Sequence, residues 1–145
     1  MQLSKSQYSE MYKEASEGTK SYITVPKAFF AGGLICMLGE FLSSVYENAG
    51  LTKEQYPVAT SVTLIFISAL LTGLGLYSKL AKFAGAGTLV PITGFANSVV
   101  APAVEFKAEG FILGLGAKIF IISGPVILYG TLASVLYGII YWLTS

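Results

Sequence analysis

The chain has no Arg, no Asp and no His, and Cys36 is its only cysteine. Each absence excludes a class of chemistry. Without Arg there is no planar fork for bidentate recognition of carboxylate or phosphate. Without His the ordinary neutral-pH acid–base group is missing. One cysteine forbids an intrachain disulfide, and without His it also excludes a Cys/His zinc site. Cys36 lies in an apolar run and reads as a small buried residue rather than a reactive thiol. There is no nucleophile–base pair, no phosphate loop and no metal cluster, so no enzyme and no cofactor are expected.

Charge is scarce as well. Charged residues make up 12% of the chain, where a soluble domain carries roughly 25%. Hydrophobic residues make up 54%, and the mean hydropathy is +0.68. They are gathered into long uncharged runs, which no soluble core of this size needs. The expected fold is an all-α integral membrane protein with about four to five membrane segments. The net charge of +1 gives no reason to expect a nucleic-acid partner. A bound anion would have to meet Lys, backbone N–H groups or helix N-termini.

What is present falls into a polar N-terminal arm, residues 1–27, and a membrane domain, residues 28–145. In the arm, Tyr8, Met11, Tyr12 and Ala15 have the spacing of a surface amphipathic helix, and a frayed tail is the alternative. The first apolar run, 28–46, holds one charge, Glu40. It follows the polar arm with no convincing cleavage signal and reads as a retained membrane helix, not a signal peptide. The second run, 57–77, opens on Pro57, which a helix start tolerates. A short loop, SKLAK, carries Lys79 and Lys82. Residues 83–104 form a broken apolar stretch, and 110–145 a last run with a bend expected at Gly124 and Pro125. Lys is concentrated in the arm and the 78–82 loop, which predicts both on the cytoplasmic side. AGGLICMLG (31–39) resembles AEGFILGLG (108–116), so either two halves share an origin or two Gly/Leu-rich segments agree by chance.

The broken stretch, FAGAGTLVPITGFANSVVAPAV, is long enough to cross a bilayer and badly suited to a straight lipid-facing helix. It contains Gly85, Gly87, Gly94, Pro91 and Pro102. Irregular backbone at membrane depth survives only inside protein or beside water. Two forms remain open: a re-entrant hairpin turning near Val90 to Gly94, or a kinked crossing helix buried by its neighbours. In either, Thr93, Asn97 and Ser98 would offer side-chain hydrogen bonds beside a solute path. The alternative is that the small residues serve packing alone.

Other residues carry two readings each. Glu40 lies past the middle of its run, where a carboxylate costs a few kcal/mol unless paired, protonated or wetted. It is a pore-lining or gating carboxylate, or a buried structural partner, protonated or paired with Lys118. Lys118 is a path residue, or it snorkels to an interface. Glu105 and Glu109, four apart, would share a face on a helix and hold a cation or a proton, or simply form a solvated segment end. Gly32 and Cys36 on the first run, Gly110 and Gly114 ahead of Lys118, and Gly130, Ser134 and Gly138 on the last are small-residue faces suited to helix packing in a bundle or a homo-oligomer.

These residues also carry a resemblance. KFAGAGTLVPITGFANSVVAPAVEFKAEGFILGLG (82–116) resembles the core signature of the AC- and AE-type membrane subunits of the SpoVA stage V sporulation family. KAFFAGGLICMLGEFL (27–42) and TLIFISALLTGLGLYSKLAKFAGAG (63–87) look like that family's first two membrane segments, and the arm and TGFANSVV look closer to the AC type. The resemblance implies passage of dipicolinic acid, alone or with calcium, across the inner membrane of the forespore or spore in sporulation and germination. It implies a channel-type subunit, with gating by membrane tension as one mode. It implies as partners other SpoVA membrane subunits and a soluble AD-type subunit. A non-conducting assembly subunit is the alternative within the same family.

Overall fold

The computed structural model describes Met11 and residues 20–144, and these are mostly helical, with no strand among them. The surface helix expected around Tyr8, Tyr12 and Ala15 lies outside the described residues. Five α-helices follow: α1 (Ser21–Asn48), α2 (Gln55–Gly73), α3 (Leu76–Ala84), α4 (Pro91–Glu105) and α5 (Ala117–Thr144). Three helical stretches among the described residues are long and apolar enough to cross a membrane: Ser21–Asn48, Gln55–Gly73 and Phe111–Thr144.

α1 begins well ahead of residue 28 because Tyr22, Ile23 and Val25 extend the apolar run into the arm. Pro26 lies inside the helix near its start, where it forfeits one bond to a carbonyl one turn back. The link to α2 is short, so the two helices are antiparallel neighbours. Gly39 of α1 faces Leu64, and Tyr46 Oη lies 2.7 Å from Thr63 Oγ1. The hydroxyls in the first half of α2 are turned onto their own helix. Thr60 donates to the Tyr56 carbonyl at 2.8 Å, Ser61 to Pro57 at 2.9 Å and Thr63 to Ala59 at 2.9 Å. A polar-looking PVATSVT start therefore leaves these hydroxyls satisfied, as a helix in lipid requires.

The SKLAK segment is not a loop. It lies within α3, an amphipathic helix that buries Tyr77 and Ala84 and exposes Leu76, Leu80 and Phe83 beside Lys79 and Lys82. After α3 the chain makes one 3-10 turn, Gly85–Thr88. Val90 is extended, as the residue before a proline prefers, and Pro91 opens α4. Gly87 is pressed against α1: a Cβ there would overlap the carbonyl of Ala28 and sit 2.8 Å from its Cα. Only glycine allows this approach.

The direction of α4 decides between the two forms of the broken stretch. Ser68 Oγ donates to the Thr93 carbonyl at 2.7 Å, and Thr72 Oγ1 to Asn97 Oδ1 at 2.9 Å. Both helices advance by four residues in the same sense, so α4 runs parallel to α2. Its first residues lie beside Leu64, half-way along α2. With 15 residues it is about 22 Å long, short of the roughly 30 Å hydrocarbon core. The chain thus leaves α2, returns half-way through α3 and the 3-10 turn, and goes back out along α4. This is a re-entrant hairpin, turning at 85–90 rather than at 90–94.

α4 ends at Glu105, and a 3-10 turn, Lys107–Glu109, follows. Glu105 and Glu109 therefore do not share one helix face. Gly110 takes φ 97°, a conformation other residues rarely adopt, and Phe111–Gly116 forms a wide π turn in which Leu115 N–H donates to the Gly110 carbonyl at 2.9 Å. The counterpart segment 31–39 is plain α-helix inside α1, so the two similar stretches have different structures. α5 then returns antiparallel to α4: Lys118 lies over the Phe106 ring, and Ile122 and Val126 stand beside Gly94 and Ser98. It passes through Pro125 as one element. From Tyr129 to Thr144 it is exposed throughout.

Candidate functional site

The centre of the molecule is the place where α4 begins. In a membrane the 85–90 backbone would be costly unless its carbonyls found donors. Tyr77 supplies one, donating from Oη to the Thr88 carbonyl at 2.9 Å, and Thr88 Oγ1 supplies another to Gly85 at 3.0 Å. Tyr77 and Thr88 are both buried. The turn is thus fastened from α3 on one side and against Ala28 and Gly32 of α1 on the other.

The start of α4 itself is not closed off. Val90 makes no side-chain cap and Pro91 has no N–H. Gly94 N–H takes the Val90 carbonyl at 2.8 Å, which leaves the N–H groups of Ile92 and Thr93 without a partner in their own helix. This end carries the positive pole of the helix dipole. Thr93 is buried, and its Oγ1 has no hydrogen-bond partner. Val90 and Ile92 border a cavity of about 330 Å³ between α1 and α2, whose polar walls are Glu40, Ser43 and Thr60. Glu40, exposed rather than a buried structural partner, and the first residues of α4 therefore border the same open groove, half-way along the bundle.

The other expected path residues are divided among different places. Asn97 is turned onto α2 by Thr72. Ser98 donates to its own helix at Phe95 and borders a second cavity, about 380 Å³, between α4 and α5. Glu105 and Glu109 are exposed at the end of the bundle where α4 finishes. Lys118 stacks its Nζ 4.5 Å from the Phe106 ring centroid, so it does not pair with Glu40. Within one chain these residues do not line a single continuous path.

The packing residues also separate. Gly32 meets the Gly87 backbone, and a Cβ there would be 3.3 Å from the Gly87 oxygen. Cys36 is exposed and borders the groove that Glu40 lines, which corrects the expectation of a buried residue: α2 and the start of α4 leave this groove open. Gly110 serves a turn, and Gly114 packs within its own segment against Glu109 and Phe106. Gly130 and Gly138 have nothing within 4 Å of a built Cβ, and Ser134 is exposed. Among the described residues there is no cluster of three metal-ligating side chains.

Ser68, Thr72 and Tyr77 hold the hairpin and were not singled out from the sequence. A signal was available: hydroxyls at 68 and 72 repeat the four-residue spacing of Thr93 and Asn97. That match becomes meaningful only once the two helices are known to lie side by side.

The chain matches the model of the SpoVAC/SpoVAEB sporulation membrane protein family over residues 24–140. It is 45% identical over 115 residues to the Stage V sporulation protein AC of Bacillus subtilis (strain 168), a match covering 79% of this chain and 77% of that relative. No solved structure matches it.

Proposed function

Since the chain belongs to the SpoVAC/SpoVAEB family of sporulation membrane proteins, we propose that it is a channel subunit for dipicolinic acid, free or as its calcium complex, in the spore inner membrane. The observation that carries this reading is the half-helix α4, which starts half-way along α2, uncapped, beside the cavity that holds Glu40. An anionic solute needs donors at mid-depth, and this chain has no Arg to offer them. The free N–H groups and positive pole at the start of α4 are suited to that task. Such contacts are weak and spread out, as conduction requires, because tight binding would hold the solute in place. Lys20 and Lys27 at the start of α1 and Lys79 and Lys82 on α3 favour a cytoplasmic position for that end.

Because the path residues lie in separate places within one chain, the conducting form is a homo-oligomer or a complex with other SpoVA membrane subunits and a soluble AD-type subunit. Gating by membrane tension fits a hairpin held by few polar contacts. The test is release of calcium dipicolinate from liposomes containing only this protein, before and after a hypo-osmotic shift. Release that needs both the protein and the shift supports the reading. No release from vesicles with inserted, folded protein overturns it for the protein alone.

One observation favours a second reading, a non-conducting assembly subunit. The face of α5 with Gly130, Ser134 and Gly138 is open in the single chain and admits close approach of another helix. In that case Ser134→Leu would break the complex, and no homomer would conduct.

A further inference from the structure

A groove runs down the outside of the bundle from the end where α1 begins. Its floor is the α1 stripe Pro26, Phe30, Leu34 and Leu38, and its wall is Leu80 and Phe83 of α3. These side chains make it almost wholly apolar, with a volume of about 480 Å³. Four residues apart, the α1 positions form a slanting row about 18 Å long, walled by α3 at Leu80 and Phe83. That is close to the depth of one leaflet, since the whole hydrocarbon core is roughly 30 Å.

The mouth of the groove is basic. Lys27 stands there with its Nζ 5.1 Å from the centroid of the Phe83 ring. Lys82 is the neighbour of Phe83, and Lys79 lies one turn before it on the same short helix. No Glu occurs between Lys20 and Gly39, or between Leu74 and Val104, so neither wall supplies a carboxylate of its own. An apolar groove along α1 with Lys27 at its mouth, and with Lys82 on the adjoining helix beside Phe83, matches one kind of molecule in both halves. We infer that the α1–α3 groove holds an acyl chain of an anionic phospholipid, whose phosphate is met by Lys27 and Lys82. The occupant is a lipid of the surrounding bilayer rather than a protein helix, because the groove opens sideways and its charge sits at one end only. The assignment stands apart from the channel reading, since it uses neither Glu40 nor the start of α4.

The test uses the full chain in detergent, given equal amounts of phosphatidylglycerol and phosphatidylcholine and examined by native mass spectrometry. The protein should retain one phosphatidylglycerol in clear preference. Lys27→Gln and Lys82→Gln should each cut that preference roughly fivefold, without loss of phosphatidylcholine binding. Ala31→Trp, which fills the groove from its floor, should abolish retention of either lipid. Circular dichroism and elution volume identify any variant that has not folded, and exposed Lys82→Gln on its own keeps the test decisive. Equal retention of the two lipids overturns the proposal, as does a preference unchanged in the lysine variants or retention surviving Ala31→Trp. Retention of added dipicolinate instead of phosphatidylglycerol, lost in the lysine variants, would also overturn it and assign the lysines to the solute.

Discussion

Thr72 Oγ1 donates to Asn97 Oδ1 at 2.9 Å, one helical turn past the point where Ser68 is bonded to the Thr93 carbonyl. This pair ties the re-entrant helix to α2 and sets its direction. Thr72 Oγ1 also lies 2.7 Å from the Ser68 carbonyl, so its single proton is shared between two acceptors, one on its own helix and one on its neighbour.

A double-mutant cycle on Thr72→Val and Asn97→Ala measures what this pair is worth. Interhelical hydrogen bonds in membrane proteins average about 0.6 kcal/mol, with a maximum near 1.7. A coupling in that range is expected from reversible unfolding in mixed detergent micelles. A coupling of zero would mean that packing alone holds α4 against α2.

Tyr77→Phe removes the donor to the buried Thr88 carbonyl and changes nothing else in shape. The expected cost is about 1–3 kcal/mol, because an acceptor is left unsatisfied away from water. The same unfolding measurement checks it. Hydrogen exchange at 85–90 should rise in parallel, and unchanged exchange would show that the turn does not depend on this bond.

Gly87→Ala and Gly138→Ala make the same chemical change in opposite surroundings. The first methyl would collide with the Ala28 backbone, while the second meets nothing within 4 Å. Gly87→Ala should cost at least about 1–3 kcal/mol, the usual penalty of overpacking. Gly138→Ala should cost the isolated protein nothing and stabilise its helix by up to about 1 kcal/mol. Equal effects would contradict the close approach of the hairpin to α1.

Glu40→Gln tests the cavity at the start of α4. Removing the carboxylate should speed release of free dipicolinate from liposomes severalfold, because a like charge no longer faces the solute. Insertion should be unaffected, as judged by protease protection. Identical release rates would place Glu40 off the path.

Much of this architecture was legible in the chain. The uncharged runs mark the long helices, and the glycines and prolines of 83–104 mark the irregular segment. Two features were not legible, for physical reasons. SKLAK looks like a loop because its two lysines interrupt the run, yet Tyr77 and Ala84 are buried on one side of a helix, with Ala81 half-buried between them. That side is visible only from the structure, since five residues are too few to establish a period. The direction of α4 depends on which side chains meet those of α2, and no local pattern encodes a meeting between residues 25 apart. The candidate site was recognised residue by residue but not as an arrangement. Glu40 and the start of α4 come together, while Asn97, Ser98 and Glu105 go elsewhere, because a hairpin places neighbours in sequence on opposite sides of a thin element.

The hairpin also gives the molecule a taper. Near the beginning of α1, five helical segments stand side by side; beyond the tip at Pro91, only α1, α2 and α5 continue. Set in a bilayer, the chain occupies more area in one leaflet than in the other. On the proposed channel reading, such a wedge would favour one balance of lateral crowding between the leaflets over another, a balance that changes when a membrane is stretched or curved.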